Sequence, residues 1–430
     1  MELSKKLTNS LSNNDVNNCT KNNDAALVHR QTAFVNYQID ILQEGMNFCQ
    51  RRNDSIKRSQ VANKSSGDNP FDLQAAWADI QQTCAFNSGK PVIYSLSYID
   101  NPIGTPDALL VAINAPGGKV YFLPYNATST IELDTATDTT TVITGTQSHL
   151  TNAPRIRGAC YADGSIYCSS GENKMLYRFD ISTKTYSALT STADGYFGLA
   201  YDGSTYIYSL GASTSNKILR YNVKSDAIEE IASLTADRNK YQRILLHPNG
   251  KLYASPQYYT KIIEIDPADL SNPTYFSTYI NRSLYCCLTP NGDIAIAPVE
   301  GTGTQKFAYA NVTNKTVTFE AAPYSSGNTW AWFSNIILTP TGKPVAAPQS
   351  FPEVVEYDSI NNSHTIVGST IYSRNSNANY YGSAILAKNG CIFCCPGSTA
   401  NVKILKISIN IEDGKNFKES TILSPYLNKY

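Results

Sequence analysis

The chain has 430 residues, of which 16% are charged, and its 35 Lys and Arg balance 35 Asp and Glu. That balance excludes a global field able to draw in nucleic acid or an anionic membrane, and the length exceeds an ordinary single core unless the chain is built from repeats. With 29 Tyr beside abundant Asn, Ser and Thr, the composition favours strands and turns over helices, so an all-β body is expected.

Residues 1–23, MELSKKLTNSLSNNDVNNCTKNN, are polar and lack any apolar period, which predicts no structure of their own. They hold no apolar core of a secretory signal, and no stretch of the sequence approaches the length of a membrane span. A chain neither exported by such a signal nor membrane-bound is expected. From Asp24, a good N-cap, the sequence predicts a helix over about 24–58. Leu27, Phe34, Ile41 and Phe48 recur at every seventh residue, and so do Val28, Val35, Leu42 and Cys49. Two adjacent columns of period seven make one apolar stripe, as in a coiled-coil seam. Either the stripe packs at home, or it docks on another copy or a protein partner, and no helix of equal length in the chain is available to cover it. A shorter helix is predicted over about 69–84, with Pro70 near its start and Leu73, Trp77, Ile80 and Cys84 on one face. Residues 24–90 thus read as a helical arm.

The remainder, 91–430, changes character. The strand-like PVIYSLSYI at 91–99 is followed by a recurring unit: an apolar run, a turn ending in Gly, a second apolar run, a loop, then an alternating run closed by Asp or Asn. Its first half reads INAPGGKVYFLP, CYADGSIYC, LAYDGSTYIYSL, LLHPNGKLYASP, CLTPNGDIAIAP, ILTPTGKPVAAP and ILAKNGCIFCCP. The turn glycines are Gly118, Gly164, Gly203, Gly250, Gly292, Gly342 and Gly390, at gaps of 46, 39, 47, 42, 50 and 48 residues. The second half keeps phase, ending at Asp134, Asp180, Asn222, Asp266, Asn311, Asp358 and Ser408. The glycine supplies the positive φ of a tight hairpin, and the Asp or Asn can bond its own turn. This spacing is that of four-stranded propeller blades.

The layout resembles the propeller repeats of the kelch, NHL and YVTN type over roughly residues 105–425. A kelch-like double glycine occurs once, at Gly117 and Gly118, and there is no WD dipeptide. The resemblance implies a seven-bladed β-propeller around a central channel, a fold that hosts many unrelated functions. Two segments compete to close the ring. One is 91–99, pairing with the last blade; the other is KESTILSPYL, as the seventh blade's own outer strand.

Catalytic patterns are sparse. The four histidines, His29, His149, His247 and His364, are scattered without ligand spacing, which argues against a His-based metal site or triad. Cys391 and Cys394 form a CxxC, but residues three apart on a strand point to opposite faces, so core packing is the expected role. The ten cysteines lie mostly in apolar runs and suggest a reducing compartment.

Loops that lead into each inner strand gather on one face around the channel mouth. Counting back seven from each turn glycine gives Val111, Arg157, Tyr196, Arg243, Tyr285, Asn335 and Ser383. Neighbouring loops add Arg155, Arg238, Lys240, Tyr241, Arg282, Trp330, Trp332, Tyr380 and Tyr381. Arg with Tyr and Trp is the composition of a binding surface, and Arg157, Tyr196, Arg243, Arg282, Tyr285, Trp330, Trp332 and Tyr381 are the binding candidates. The competing reading has the arginines plugging the channel against backbone carbonyls and the aromatics capping the blades.

The sequence therefore predicts a non-enzymatic scaffold or interaction protein, without cofactor or metal, built into a larger assembly through its N-terminal helix. A virion or phage-tail component is the most specific form, and virion or cytoplasm the expected location. The alternatives are a carbohydrate-binding propeller, with Trp330 and Trp332 stacking on sugars, and a propeller hydrolase or lyase with acidic groups converging at the channel mouth.

Overall fold

A computed structural model describes residues 72–105, 109–144, 154–192, 194–211, 215–234, 241, 243–256, 261–277, 285–297, 306–320, 333–349, 352–372, 380–397 and 402–427. The predicted helix over 24–58, with Leu27, Val28, Phe34, Val35, Ile41, Leu42 and Phe48, lies outside the described residues.

Seven four-stranded antiparallel sheets follow one another as blades of a β-propeller. Blade 1 runs from inner strand Leu109–Ala115 to outer strand Thr139–Ile143, and blade 2 from Ile156–Ala162 to Thr185–Ser191. Blade 3 runs from Tyr196–Tyr201 to Ile228–Ala232, and blade 4 from Leu245–Leu246 to Asp269–Ser277. Blade 5 runs from Cys286–Leu288 to Thr316–Phe319, and blade 6 from Phe333–Leu338 to Ser363–Ser369. Blade 7 takes three strands from the C-terminal end, Tyr381–Leu386, Cys391–Pro396 and Ile404–Ile411. Its outer strand is β1, Val92–Ile99, in unbroken antiparallel register from Val92 opposite Ile411 to Ile99 opposite Ile404. Of the two candidate closures, the N-terminal strand is the one the structure uses.

The repeat's punctuation does the local work expected of it. All seven turn glycines have positive φ, from 68° at Gly118 to 89° at Gly292. The carboxylate of Asp134 accepts from Ala136 N and Thr137 N, that of Asp180 from Ser182 N and Thr183 N, and that of Asp358 from Ile360 N and Asn361 N. Ser408 departs from the pattern for a topological reason. Blade 7 borrows its outer strand from the other end of the chain, so no turn follows, and Ser408 sits mid-strand opposite Ser95.

Between blades the strands interdigitate. On Cys391–Pro396, the side chains of Cys391, Phe393 and Cys395 pack towards Leu109, Ala112 and Val120 of blade 1, whereas Ile392 and Cys394 face the opposite core. The CxxC cysteines are thus divided between two faces, as strand geometry requires.

The shorter predicted helix is present as α1, Leu73–Asn87, displaced a turn towards the C-terminus from the predicted range. The start is set by Asp72, whose carboxylate accepts from Gln74 N and Ala75 N. Its buried face holds Trp77, Ile80 and Cys84, as the spacing predicts. The helix lies across the inner hairpin turns. Leu73 abuts Gly203 of blade 3, Gln81 Nε2 donates to Pro290 O of blade 5, and Asn87 Nδ2 donates to Pro340 O of blade 6. The C-terminal tail completes this cover. KESTILSPYL forms a short helix, α2, Glu419–Ile422, and Glu419 accepts from Gly118 N of blade 1. Asp79 of α1 accepts from Thr421 Oγ1 at 2.6 Å and pairs with Lys418 at 2.9 Å, while the Trp77 and Tyr426 rings meet edge-on at 5.7 Å. The channel end ringed by the glycine turns is therefore covered by α1 and the tail.

Candidate binding face

The opposite face is that of the loops into each inner strand and the loops between the two middle strands, of which the described residues include a part. Its best-defined feature is Arg157. The inner hairpin of blade 2 shifts register between Ile156 and Gly158, which leaves Arg157 as the extra, unpaired residue of a bulge and re-aims its side chain. Arg157 Nε donates to Glu172 Oε1 at 2.7 Å and Nη2 donates to the Tyr125 hydroxyl at 2.7 Å. The Arg157 guanidinium lies 4.9 Å from the Tyr125 ring centroid and 5.4 Å from that of Phe197. Arg155, held at φ 53°, sets a second guanidinium 5.0 Å from the Tyr125 ring. One phenol is thus flanked by two cations.

Arg243 of blade 4 reaches past blade 3 and donates from Nη1 to the Arg157 carbonyl at 2.6 Å. Its guanidinium also sits 5.4 Å from the Tyr285 ring centroid of blade 5. Blades 2, 4 and 5 are cross-braced at the mouth by this contact. The two arginines feel opposite environments. Burial disfavours charge on both, but on Arg157 the hydrogen bond and charge of Glu172 outweigh it and raise the pKa, whereas burial wins at Arg243 and lowers it.

The structure thus brings Arg157, Arg243 and Tyr285 together and separates them from two other candidates. Tyr196 is 1% exposed and wedged between blades 2 and 3, with its hydroxyl donating to Glu230 at 2.7 Å. Tyr381 is fully buried beside Tyr372, between blades 6 and 7. Both inner hairpins shift register just after these residues, between Tyr196 and Leu199 and between Tyr381 and Ala384. Asn335 and Ser383 serve the frame: Asn335 Nδ2 donates to Ala384 O, and Ser383 Oγ accepts from Ala112 N. Arg282, Trp330 and Trp332 lie outside the described residues.

Counting from the turn glycines misses Tyr125 and Glu172, because they belong to the loops between the second and third strands. Those loops share the face, and counting onward from the Pro124 and Ser170 ends of the second strands would have found them.

The described titratable groups are distributed as supports. His247 Nδ1 accepts from Asn249 N at 3.0 Å and its Nε2 meets the Gly292 carbonyl, at the covered end of the channel. His364, on the outer strand of blade 6, pairs with Glu320, which follows the outer strand of blade 5. Among the described residues no group of three or more His, Cys, Asp or Glu could hold a metal ion. All eight described cysteines are buried and free of disulfides, and burial pushes the Cys84 thiol up to about 12. No described helix is long and apolar enough to cross a membrane.

No family model matches the sequence. No curated protein matches it either, so its likeness to kelch, NHL and YVTN repeats remains one of layout. Solved structures do match. A streptogramin B lyase superposes with a TM-score of 0.59 at 12% identity, covering 74% of this chain and 98% of that one. A catalytically inactive virginiamycin B lyase from Staphylococcus aureus with quinupristin gives 0.58 at 13% identity, covering 73% and 99%. The WD40 repeats of RRP9 give 0.53 at 10% identity, covering 74% and 100%. The likeness is one of fold. A lyase and a WD40 repeat domain share it, so function has to be argued from the site.

Proposed function

We propose that this protein is a non-enzymatic propeller scaffold, which offers its loop face to a protein partner and joins a larger assembly through its N-terminal heptad segment. The observation that carries this reading is the brace at the channel mouth. Arg243 is committed to the Arg157 carbonyl, and Arg157 to Glu172 and Tyr125. A hydrolase or lyase site needs acid and base groups converging on a reacting atom. Among the described residues of this mouth, Arg157, Glu172 and Arg243 hold one another and the blades. What is left for a partner is a rim of Arg and Tyr, which offers large contact area with directed hydrogen bonds. The assembly half rests on the sequence: two columns of apolar residues at period seven need a helical partner. A virion or tail component is the most specific form of this reading, supported by the Asn-, Ser-, Thr- and Tyr-rich composition.

The test is the solution mass of the full chain beside the F34D/I41D chain, by light scattering. The wild-type protein is expected above its monomer mass of 47.1 kDa, and the substituted chain at a lower multiple. A wild-type mass that the substitutions leave unchanged would remove the helix from the assembly.

A further inference from the structure

The outer strand of a propeller blade is a sheet edge, and natural edges are guarded by shortness, charge, proline or a bulge. Six of the seven blades carry such a device. The outer strands of blades 1 and 5 are short, Thr139–Ile143 and Thr316–Phe319. Blade 3 carries Glu229 and Glu230, and blade 4 carries Asp269 and Pro273. Blades 2 and 6 shift register where the outer strand pairs, between Leu176 and Tyr177 and between Val354 and Val355.

The seventh edge, β1, has none of them. Its eight residues, VIYSLSYI, contain no charge, no proline and no register shift, and no strand covers the outer edge among the described residues. Exposed apolar side chains concentrate around it. Ile93 of β1 is 68% exposed, Ile371 is 68% exposed and donates from N to the Tyr98 hydroxyl, and Ile366 of blade 6 is 53% exposed.

The sequence of this edge also reads the same in both directions. Ile93-Tyr94-Ser95-Leu96-Ser97-Tyr98-Ile99 is a palindrome about Leu96. In an antiparallel pair of two such strands related by a two-fold axis at Leu96, each side chain meets its own kind: Ile93 with Ile99, Tyr94 with Tyr98, Ser95 with Ser97. That is the self-complementarity an isologous interface demands. The formal net charge of zero sets no overall repulsion between copies.

We propose that β1 is the interface with a second copy of this chain, pairing antiparallel about Leu96 so that the two seventh blades merge into one eight-stranded sheet. The interface stands on β1 alone and is independent of the heptad segment, so it is tested in the full chain carrying F34D/I41D. Two double substitutions separate register from mere perturbation. In S95E/S97E the two-fold places Glu opposite Glu, while in S95K/S97E it places Lys opposite Glu. Within the chain Ser97 is opposite Lys406 and Ser95 opposite Ser408, so both variants carry the same Glu beside the same cation and differ only at residue 95.

The mass measured by analytical ultracentrifugation is expected to be twice 47.1 kDa in the F34D/I41D parent, to fall to half in S95E/S97E, and to stay double in S95K/S97E. A monomeric parent overturns the proposal. So does a dimer indifferent to S95E/S97E, which would put the interface elsewhere. Dissociation of both variants overturns the two-fold register.

Discussion

At the scale of single residues, the two mouth arginines should respond differently to loss of charge. Arg243 is 6% exposed, and burial lowers its pKa, so its surroundings as a whole favour the cation less than water does. Methionine at this position removes the cost of burying the cation, which offsets the loss of the hydrogen bond to the Arg157 carbonyl. R243M is therefore expected to leave the urea midpoint unchanged or raise it. R157M should lower it, at a cost of about 1–2 kcal/mol, because it removes the donor to Glu172 and to the Tyr125 hydroxyl and leaves these two only their bond to each other. A fall at R243M as large as at R157M would make the brace a stability element. Stability gained at R243M would leave Arg243 as a residue retained for the loop face, at a cost to the fold.

At the scale of elements, the turns between third and outer strands of blades 1, 2 and 5 tie each of them to the blade before it. The residue four beyond the turn Asp or Asn sits at positive φ in several blades: 56° at Asp138, 59° at Lys184 and 55° at Lys315. Each reaches back to the preceding blade. Asp138 pairs with Lys406 of blade 7 at 2.5 Å, Lys184 pairs with Glu132 of blade 1, and Lys315 pairs with Glu264 of blade 4 at 3.3 Å. In each pair the turn residue is opposite in charge to the strand residue it meets, which adds attraction between neighbouring blades. Glu264 gives a measurable handle. Burial alone would raise its pKa, but hydrogen bonds from Lys251 and Tyr253 and the charge of Lys315 bring it from 4.5 down to about 2. A carboxyl depressed on folding adds stability above its unfolded value and loses it as pH falls, here between about 4.5 and 2. E264Q should cost about 1–3 kcal/mol at neutral pH and flatten the acid limb of the stability curve in that window. An acid limb unchanged in E264Q would assign the sensitivity to other carboxyls. This scale also decides what the sequence makes legible. Turn glycines and Asx turns act within a few residues, so the blade phase can be read directly. The bulges at Arg157, Tyr196 and Tyr381 arise from pairing with a second strand, so counting from a glycine finds the position but not the direction of the side chain. Ser408, in place of Asp, was the local sign that blade 7 had no turn to make.

At the scale of the whole molecule, two consecutive elements at the N-terminal side of the described residues perform different tasks. β1 is a clasp: it pairs with Ile404–Ile411 along its full length, so the ring is held shut by contacts between the beginning and the end of the propeller. α1 is a lid, which lies over completed inner turns and takes part in none of the seven sheets. Ile80 is the centre of its buried face and has no exposed surface. I80D would place a carboxylate in an apolar site, at several kcal/mol. Undocking α1 relieves that cost and leaves every strand ladder intact. The expected result is a chain with unchanged strand content by circular dichroism, and with new protease cleavage between residues 72 and 91. Replacing 92–99 by Gly and Ser opens the ring instead. It exposes the unpaired edge of Ile404–Ile411, and strand signal and cooperative unfolding should fall together. If I80D removed the strand signal as that replacement does, α1 would be part of the ring's core, and the covered end of the channel would be a condition of folding rather than a cover laid over a finished propeller.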